Sequence, residues 1–503
     1  MSVLTFRHLE PVAVGQIPLL PIADFRRAVL DGIAEGGRLV ACYGEPRGTA
    51  IRLVAIWADD LIGELRAVAA EPGESYPALA PDCPQAAGFE REIAEQWGVK
   101  PLGHPWLKPL RFHRSYRPGH DAWNRVADAA PVPSAMDFFR VEGEGIHEVA
   151  VGPVHAGVIE PGHFRFQCHG EQVLHLEISL GYQHRGIERA LLGGPHPRTI
   201  HHVETLAGDT MIGHALAHAQ AMEALAGCRV PARAQALRAV ALELERLANH
   251  VGDLGALAGD VGFLPTSSYC GRLRGDFLNM TALLCGNRFG RGFVRPGGLA
   301  FDVDAALLAD LRTRLDDAFR DVAGAVNLLW DTASAMGRFE NTGAVSRATA
   351  VALGLVGPAA RACGLEIDVR RDFPSGIYRF AQLPLSTFDG GDVFARAFVR
   401  WLEIQRSVEF IRAQIAALPP GAALKPCGSA APDALVVSLQ EGWRGEITHV
   451  ATTDAAGRFA RYKVVDPSFH NWLGLALALR NQEISDFPLC NKSFNLSYCG
   501  HDL

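Results

Sequence analysis

No C-x-x-C pair occurs among the 503 residues, although the chain carries ten cysteines. Cys42, Cys83, Cys168, Cys228, Cys270, Cys285, Cys363, Cys427, Cys490 and Cys499 are scattered along it. A local cysteine motif able to wrap an iron–sulfur cluster is therefore missing, which excludes the common self-contained electron-transfer modules. In a reducing compartment such isolated thiols serve mostly as small buried hydrophobes. Long apolar runs are missing too. The best candidate, "WLGLALAL" at 472–479, is far shorter than the roughly 18 residues that cross a bilayer. The N-terminal stretch "MSVLTFRHLEPVAVGQIP" has no basic region followed by an apolar one, so no secretory signal is expected. No G-x-G-x-x-G follows a convincing strand and no P-loop occurs, which argues against a nucleotide site on this chain. Charge of one sign is also lacking. The 48 basic and 55 acidic residues are interspersed and leave a net charge of −7, so nothing invites nucleic acid. The expectation is a cytoplasmic protein that meets the inner face of a membrane only through partners.

What is present is core. Apolar residues make up 48% and charged residues 20% of the chain, enough for a sizeable buried interior. Residues 1–115 mix β-rich runs ("RLVACYG", "AIRLVAIWA") with a helical stretch ("IADFRRAVLDGIAEGG") and read as a small α+β domain. A Pro/Gly/His/Arg-rich connector covers 103–123, and residues 116–144 read as a linker. From 145 to 503 a short β region leads into long helical patterns at 232–259, 301–330 and 394–418. Residues 445–465 form two alternating runs around Asp-Ala-Ala-Gly, the pattern of a hairpin. The expected fold is α+β: a small mixed domain, then a large, mainly helical one with peripheral β-hairpins. The "HPRTIHH" loop (196–202) has metal-like spacing but no carboxylate or cysteine set beside it.

Four stretches taken together resemble one superfamily. They are "LGYQHRGIERAL" (180–191), "ELERLANHVGDLG" (243–255), "FGRGFVRPGG" (289–298) and "GGDVFARAFVRWLEI" (390–404). The superfamily comprises the large subunits of [NiFe] hydrogenases and the 49-kDa-type subunit of complex I. "FEREIAEQWGVKPLGHPWLKPLR" (89–111) resembles the 30-kDa-type complex I subunit. That order of domains is how formate-hydrogenlyase-type (group 4) large subunits are built.

The resemblance implies four nickel-ligating thiolates in two C-x-x-C pairs, since soft sulfur suits these metals and an un-ionised alcohol does not. Laying "TLAGDTMIGHALAH" (205–218) on the first pattern places Ala207 and Thr210 at its cysteines, while Gly208 and His214 still match. The second pattern, on "NLSYCG" (495–500), places Ser497 and Gly500 at the ligand positions, with Cys499 one residue short and Cys490 upstream. The expectation is a degenerate metal site with no resident metal. Nothing after the motif resembles the extension that relatives clip once nickel is inserted.

In complex I the same cavity receives a quinone, held by a hairpin histidine and a tyrosine. His155 matches the histidine, the tyrosine position falls on Gly208, and Tyr498 approaches from the C-terminal end. The candidate catalytic residues are thus His155, His214, Arg185, Glu188 and Cys499, with His155 and Tyr498 as candidate cofactor contacts. Each has a plain structural alternative. Arg185 and Glu188, three apart on an expected helix, are either cluster-side functional groups or a buried ion pair. Asp392 with Arg396, and Glu245 with His250, read as structural networks. The resemblance further implies an iron–sulfur small subunit carrying the cluster, a ferredoxin-like subunit and antiporter-like membrane subunits. Three readings compete: an electron-exchanging subunit without a NiFe centre, a quinone-reactive subunit, and a non-catalytic scaffold. An active hydrogenase is the reading that the lost thiolates argue against.

Overall fold

The computed structural model describes residues 2–125, 131–155 and 159–503, so the linker 116–144 lies partly outside it. Helix accounts for 43% and strand for 18%, which is an α+β protein. Near the N-terminus the strands Arg38–Arg47, Ala50–Asp59, Glu64–Ala70 and Leu4–Phe6 form an antiparallel sheet. The first two are buried along most of their length, as their continuous apolar runs demand. The helix Ile22–Ala34 lays Phe25, Ala28, Val29 and Gly32 inward at helical spacing. Gly32 has to be glycine, because a Cβ there would lie 2.4 Å from Trp57 Nε1.

The expected hairpin forms from Gly445–Thr453 and Phe459–Val465 and is joined by Ala434–Gly442. The fourth strand of this sheet is Val12–Ala13, contributed by the opposite end of the chain. The hairpin is not peripheral, as the sequence pattern suggested. Its strands are almost wholly buried, because the N-terminal sheet and the helix Ala87–Trp97 cover one side. One apolar cluster runs from Phe6, Phe25 and Trp57 to Leu435, Val437, Leu439 and Val450. The N-terminal residues and the C-terminal sheet thus share a core. Between Leu102 and Ile146 the described residues form no regular element. This connector is nevertheless pinned: buried Arg111 pairs with Glu92 and donates to the His501 carbonyl at 2.7 Å.

The helical region is built on Ala232–Asp260, flanked by Leu264–Cys285, Ala305–Trp330 and Val393–Ala416. Leu264–Cys285 carries few charges and a weak period, and its pattern alone does not mark it. The shorter Met211–Leu225 is buried all round except at Ala224, the state expected of a helix that is apolar on every face. None of the helices among the described residues is long and apolar enough to cross a membrane.

The polar pairs expected to be structural are buried, with partners other than those expected. His250 Nε2 lies 2.8 Å from Glu403, within a cluster that also contains Arg246, Arg361 and Glu441. Glu245 instead accepts the N–H groups of Ile212 and Gly213 at 2.7 and 3.1 Å, capping a helix start. Asp392 caps Val393–Ala416, while Arg396 donates to Ser493 and to the Gly391 and Gly343 carbonyls.

Candidate functional site

Most of the residues singled out by sequence converge on the short C-terminal helix Tyr498–Asp502. Ser497 caps it, its Oγ accepting the Gly500 N–H at 2.9 Å. Glu160, from the loop between strands Ile146–Val151 and His163–His169, accepts the N–H groups of Tyr498 and Cys499, each at 3.3 Å. The Cys499 thiol sits 3.4 Å from Ser497 Oγ. Burial, reinforced by the Glu160 charge, pushes it up to about 12. At neutral pH it is a thiol and not a thiolate, a weak ligand and nucleophile. Cys490 is fully buried beside Gly343 and Arg396 and behaves as packing.

Arg185 clips the 205–210 loop to the C-terminal helix. Its guanidinium donates to the Thr205 and Leu206 carbonyls at 2.5 and 3.1 Å and to the Cys499 carbonyl at 3.3 Å. It is not on a helix with Glu188, contrary to the sequence expectation. Gly186 takes the left-handed conformation (φ +67°) and the helix begins at Ile187, so the two side chains diverge. Glu188 is buried, 3.0 Å from both Lys463 Nζ and Arg461 and accepting the Val464 N–H at 2.9 Å. Lys463 also meets Glu92 at 2.7 Å. Burial pushes the Glu188 carboxyl up, but Lys463, Arg461 and Arg111 outweigh it and hold it well below the usual carboxylate range. Its ion-pair partners come from the hairpin, 273 and more residues away in sequence.

The four positions that the resemblance lays on the ligand cysteines hold other chemistry. Ala207 is buried and offers a methyl group. The Thr210 hydroxyl is occupied: it accepts from Trp443 Nε1 at 3.1 Å and Arg444 at 3.2 Å and donates to Asp209 at 3.1 Å. Arg444 pairs with both oxygens of Asp209, at 2.6 and 2.8 Å, and stacks 3.9 Å over Trp443. Ser497 is committed to its cap. Gly500 is packed so tightly that a Cβ would lie 2.6 Å from the Asp466 carboxyl carbon. A methyl, two engaged hydroxyls and a hydrogen do not fit a four-thiolate centre. No group of three or more metal-ligating side chains is assembled among the described residues.

His155 and Tyr498 both adjoin Gly162. His155 Nε2 lies 3.0 Å from the Gly162 carbonyl, and a Cβ on Gly162 would strike the Tyr498 ring at 2.5 Å. The Phe164 ring lies 5.9 Å from that of His155 and 6.3 Å from that of Tyr498. Burial pushes the Tyr498 phenol up to about 12. His214 lies deeper, between Asp466 and His449 at 3.1 Å each. Motif reading missed Glu160, Asp209, Arg444, Asp466 and His449, since their partners are set by tertiary packing. Only the one-turn spacing of His214 and His218 was visible in the sequence.

The family model for the respiratory-chain NADH dehydrogenase 49 Kd subunit matches residues 260–433, within the helical region. The carbon monoxide-induced hydrogenase of Rhodospirillum rubrum is 30% identical over 353 residues, 69% of this chain and 97% of that protein. Formate hydrogenlyase subunit 5 of Escherichia coli is 28% identical over 84% of this chain and 76% of its own length. NADH-quinone oxidoreductase subunit 4 of Thermus thermophilus is 27% identical over 67% of this chain and 89% of its own length. The chain belongs to the family that unites the 49-kDa subunit of respiratory-chain NADH dehydrogenase with its hydrogenase relatives.

Proposed function

We propose that this chain is the large, catalytic-position subunit of a membrane-associated energy-converting oxidoreductase complex that works without a NiFe centre. The relatives are named as subunits of formate hydrogenlyase and NADH-quinone oxidoreductase assemblies, which supports a multisubunit setting. In this reading residues 1–115 are the 30-kDa-type part and 145–503 the large-subunit part. The face carrying His155, Arg185 and Cys499 receives the iron–sulfur small subunit, and electrons cross there. A ferredoxin-like subunit and antiporter-like membrane subunits complete the assembly at the inner membrane face. The observation that carries the reading is the contact between Gly500 and Asp466, which leaves no room for a thiolate at that position. Metal analysis of the purified complex is the test. Nickel below a tenth per chain is expected, and stoichiometric nickel with hydrogen evolution overturns the reading.

A quinone-reactive site is the second reading, favoured by the approach of His155 and Tyr498 around Gly162 and Phe164. An imidazole N–H and an un-ionised phenol are suitable donors to the two carbonyls of a quinone ring. If it holds, His155→Ala lowers turnover with quinone analogues by about tenfold or more, the equivalent of one lost hydrogen bond to the ring. Unchanged turnover in the assembled complex removes this reading and leaves the first.

A further inference from the structure

Behind the site, five buried side chains stand in one unbroken line of contacts. Asp466 Oδ2 lies 3.1 Å from His214 Nε2, and His214 Nδ1 lies 3.1 Å from His449 Nε2. His449 Nδ1 is 2.9 Å from the Tyr462 hydroxyl, which is 2.8 Å from His218 Nδ1. None of the five is more than 2% exposed. The local structure accounts for the line. His214 and His218 are one turn apart on Met211–Leu225 and share a face. Residue 449 faces 464 and 451 faces 462, so His449 and Tyr462 are diagonal neighbours on one face of the hairpin. Asp466 caps the helix Pro467–Ala478 with Oδ1, which accepts the Ser468 N–H at 2.8 Å, and leaves Oδ2 for His214.

Counting hydrogens restricts what this line can be. It has four links, each needing one hydrogen, and a neutral imidazole offers one N–H and one lone pair. Burial pushes the Asp466 carboxyl up, but His214 and Arg444 outweigh it, so it is ionised and only accepts. Burial keeps His449 uncharged and lowers His218 to about 4. If His214 carries one N–H, only one arrangement fills every link. His218 Nδ1–H donates to Tyr462, Tyr462 O–H to His449 Nδ1, His449 Nε2–H to His214 Nδ1, and His214 Nε2–H to Asp466. All hydrogens point the same way. Now let one proton arrive at His218 Nε2 and each hydrogen cross its own link. At every link one N–H or O–H bond breaks and one forms, Tyr462 and His449 stay neutral, and all links remain filled. The extra proton ends on the His214–Asp466 pair.

We propose that His218, Tyr462, His449, His214 and Asp466 form a proton relay through the helix–hairpin interface, ending at the carboxylate packed against Gly500. The two filled states differ by one proton and need no ring to leave its place, which is the requirement for transfer along a fixed hydrogen-bonded chain. The charged groups near the line are Arg444 beside Asp466 and Glu188 near His449. Neither interrupts it. The inference stands apart from the electron-transfer reading, since it concerns protons on this chain's own side chains.

The central ring reports the relay. In the full-length protein labelled with nitrogen-15 at histidine, NMR distinguishes Nε2–H from Nδ1–H imidazole, with resonances assigned through single histidine variants. As the His214–Asp466 pair gains its proton on acidification, His449 is expected to switch from Nε2–H to Nδ1–H without becoming imidazolium. In Tyr462→Phe the link is broken and His449 should keep one tautomer throughout. A wild-type His449 that keeps one tautomer while the pair titrates overturns the relay. So does a His449 that becomes doubly protonated in the folded protein, or a pair that never titrates while folded. The wild-type series decides the matter even if Tyr462→Phe fails to fold.

Discussion

Replacing Lys463 with methionine is expected to destabilise the protein by about 3–5 kcal/mol, the range for breaking a buried ion pair by removing one partner. Lys463 is fully buried and lies between two carboxylates, Glu92 at 2.7 Å and Glu188 at 3.0 Å. Methionine fills much the same volume, so the loss is electrostatic and not a cavity. Arg111 and Arg461 remain, but each already serves one of these carboxylates. Because Glu92 comes from the helix Ala87–Trp97 and Glu188 from Ile187–Leu191, the effect spreads through the shared core. Denaturant titration of the wild type and of Lys463→Met measures it. Adding Glu188→Gln to Lys463→Met should deepen the loss, since it leaves buried Arg461 without its carboxylate. A loss under about 1 kcal/mol, typical of an exposed pair, contradicts the account.

The same cluster sets the acid limit of stability. The Glu188 carboxyl is held below its unfolded value, so the folded state binds fewer protons there than the unfolded chain. Its contribution is complete above the unfolded carboxylate range and is lost as pH falls through that range and below it. In Lys463→Met the acid-side loss should become shallower, because less of the depression remains to be lost.

The second large effect is expected at Gly500. Alanine there places a carbon 2.6 Å from the Asp466 carboxyl carbon and its Oδ2, inside van der Waals contact. Asp466 has little freedom to retreat, being held by the Ser468 N–H and by His214. Overpacking of this kind costs about 1–3 kcal/mol. Glycine is required here by space, since its backbone is not in the left-handed region. Comparison with Asp466→Ala shows whether the contact is the cause. If it is, Gly500→Ala costs far less in the Asp466→Ala background, and additive losses would refute it. Cysteine reaches farther than alanine, so the quadruple change Ala207→Cys, Thr210→Cys, Ser497→Cys and Gly500→Cys is expected to bind no stoichiometric nickel.

The long amphipathic helices at 232–260, 305–330 and 393–416 were legible because their period is local and one stripe of each must be buried. The hairpin was legible for the same reason, but its position was not. Alternation in sequence says which residues share a face and nothing about what covers that face. Here the cover is the N-terminal sheet, some 400 residues away in sequence. Arg185 and Glu188 show the opposite limit. Spacing put them on one helical face, and a single left-handed glycine, Gly186, turned them apart.

By itself the sequence determined the family and the helices that build the shell, because residue identity and local period suffice for these. Tertiary structure alone decided that Gly500 has no room for a side chain. It also decided that Arg185 ties the 205–210 loop to the C-terminal helix, and that His214 faces a carboxylate on one side and His449 on the other. Each of these depends on contacts between segments hundreds of residues apart. Such contacts are settled by close packing and by the need of every buried charge and hydrogen-bonding group for a partner.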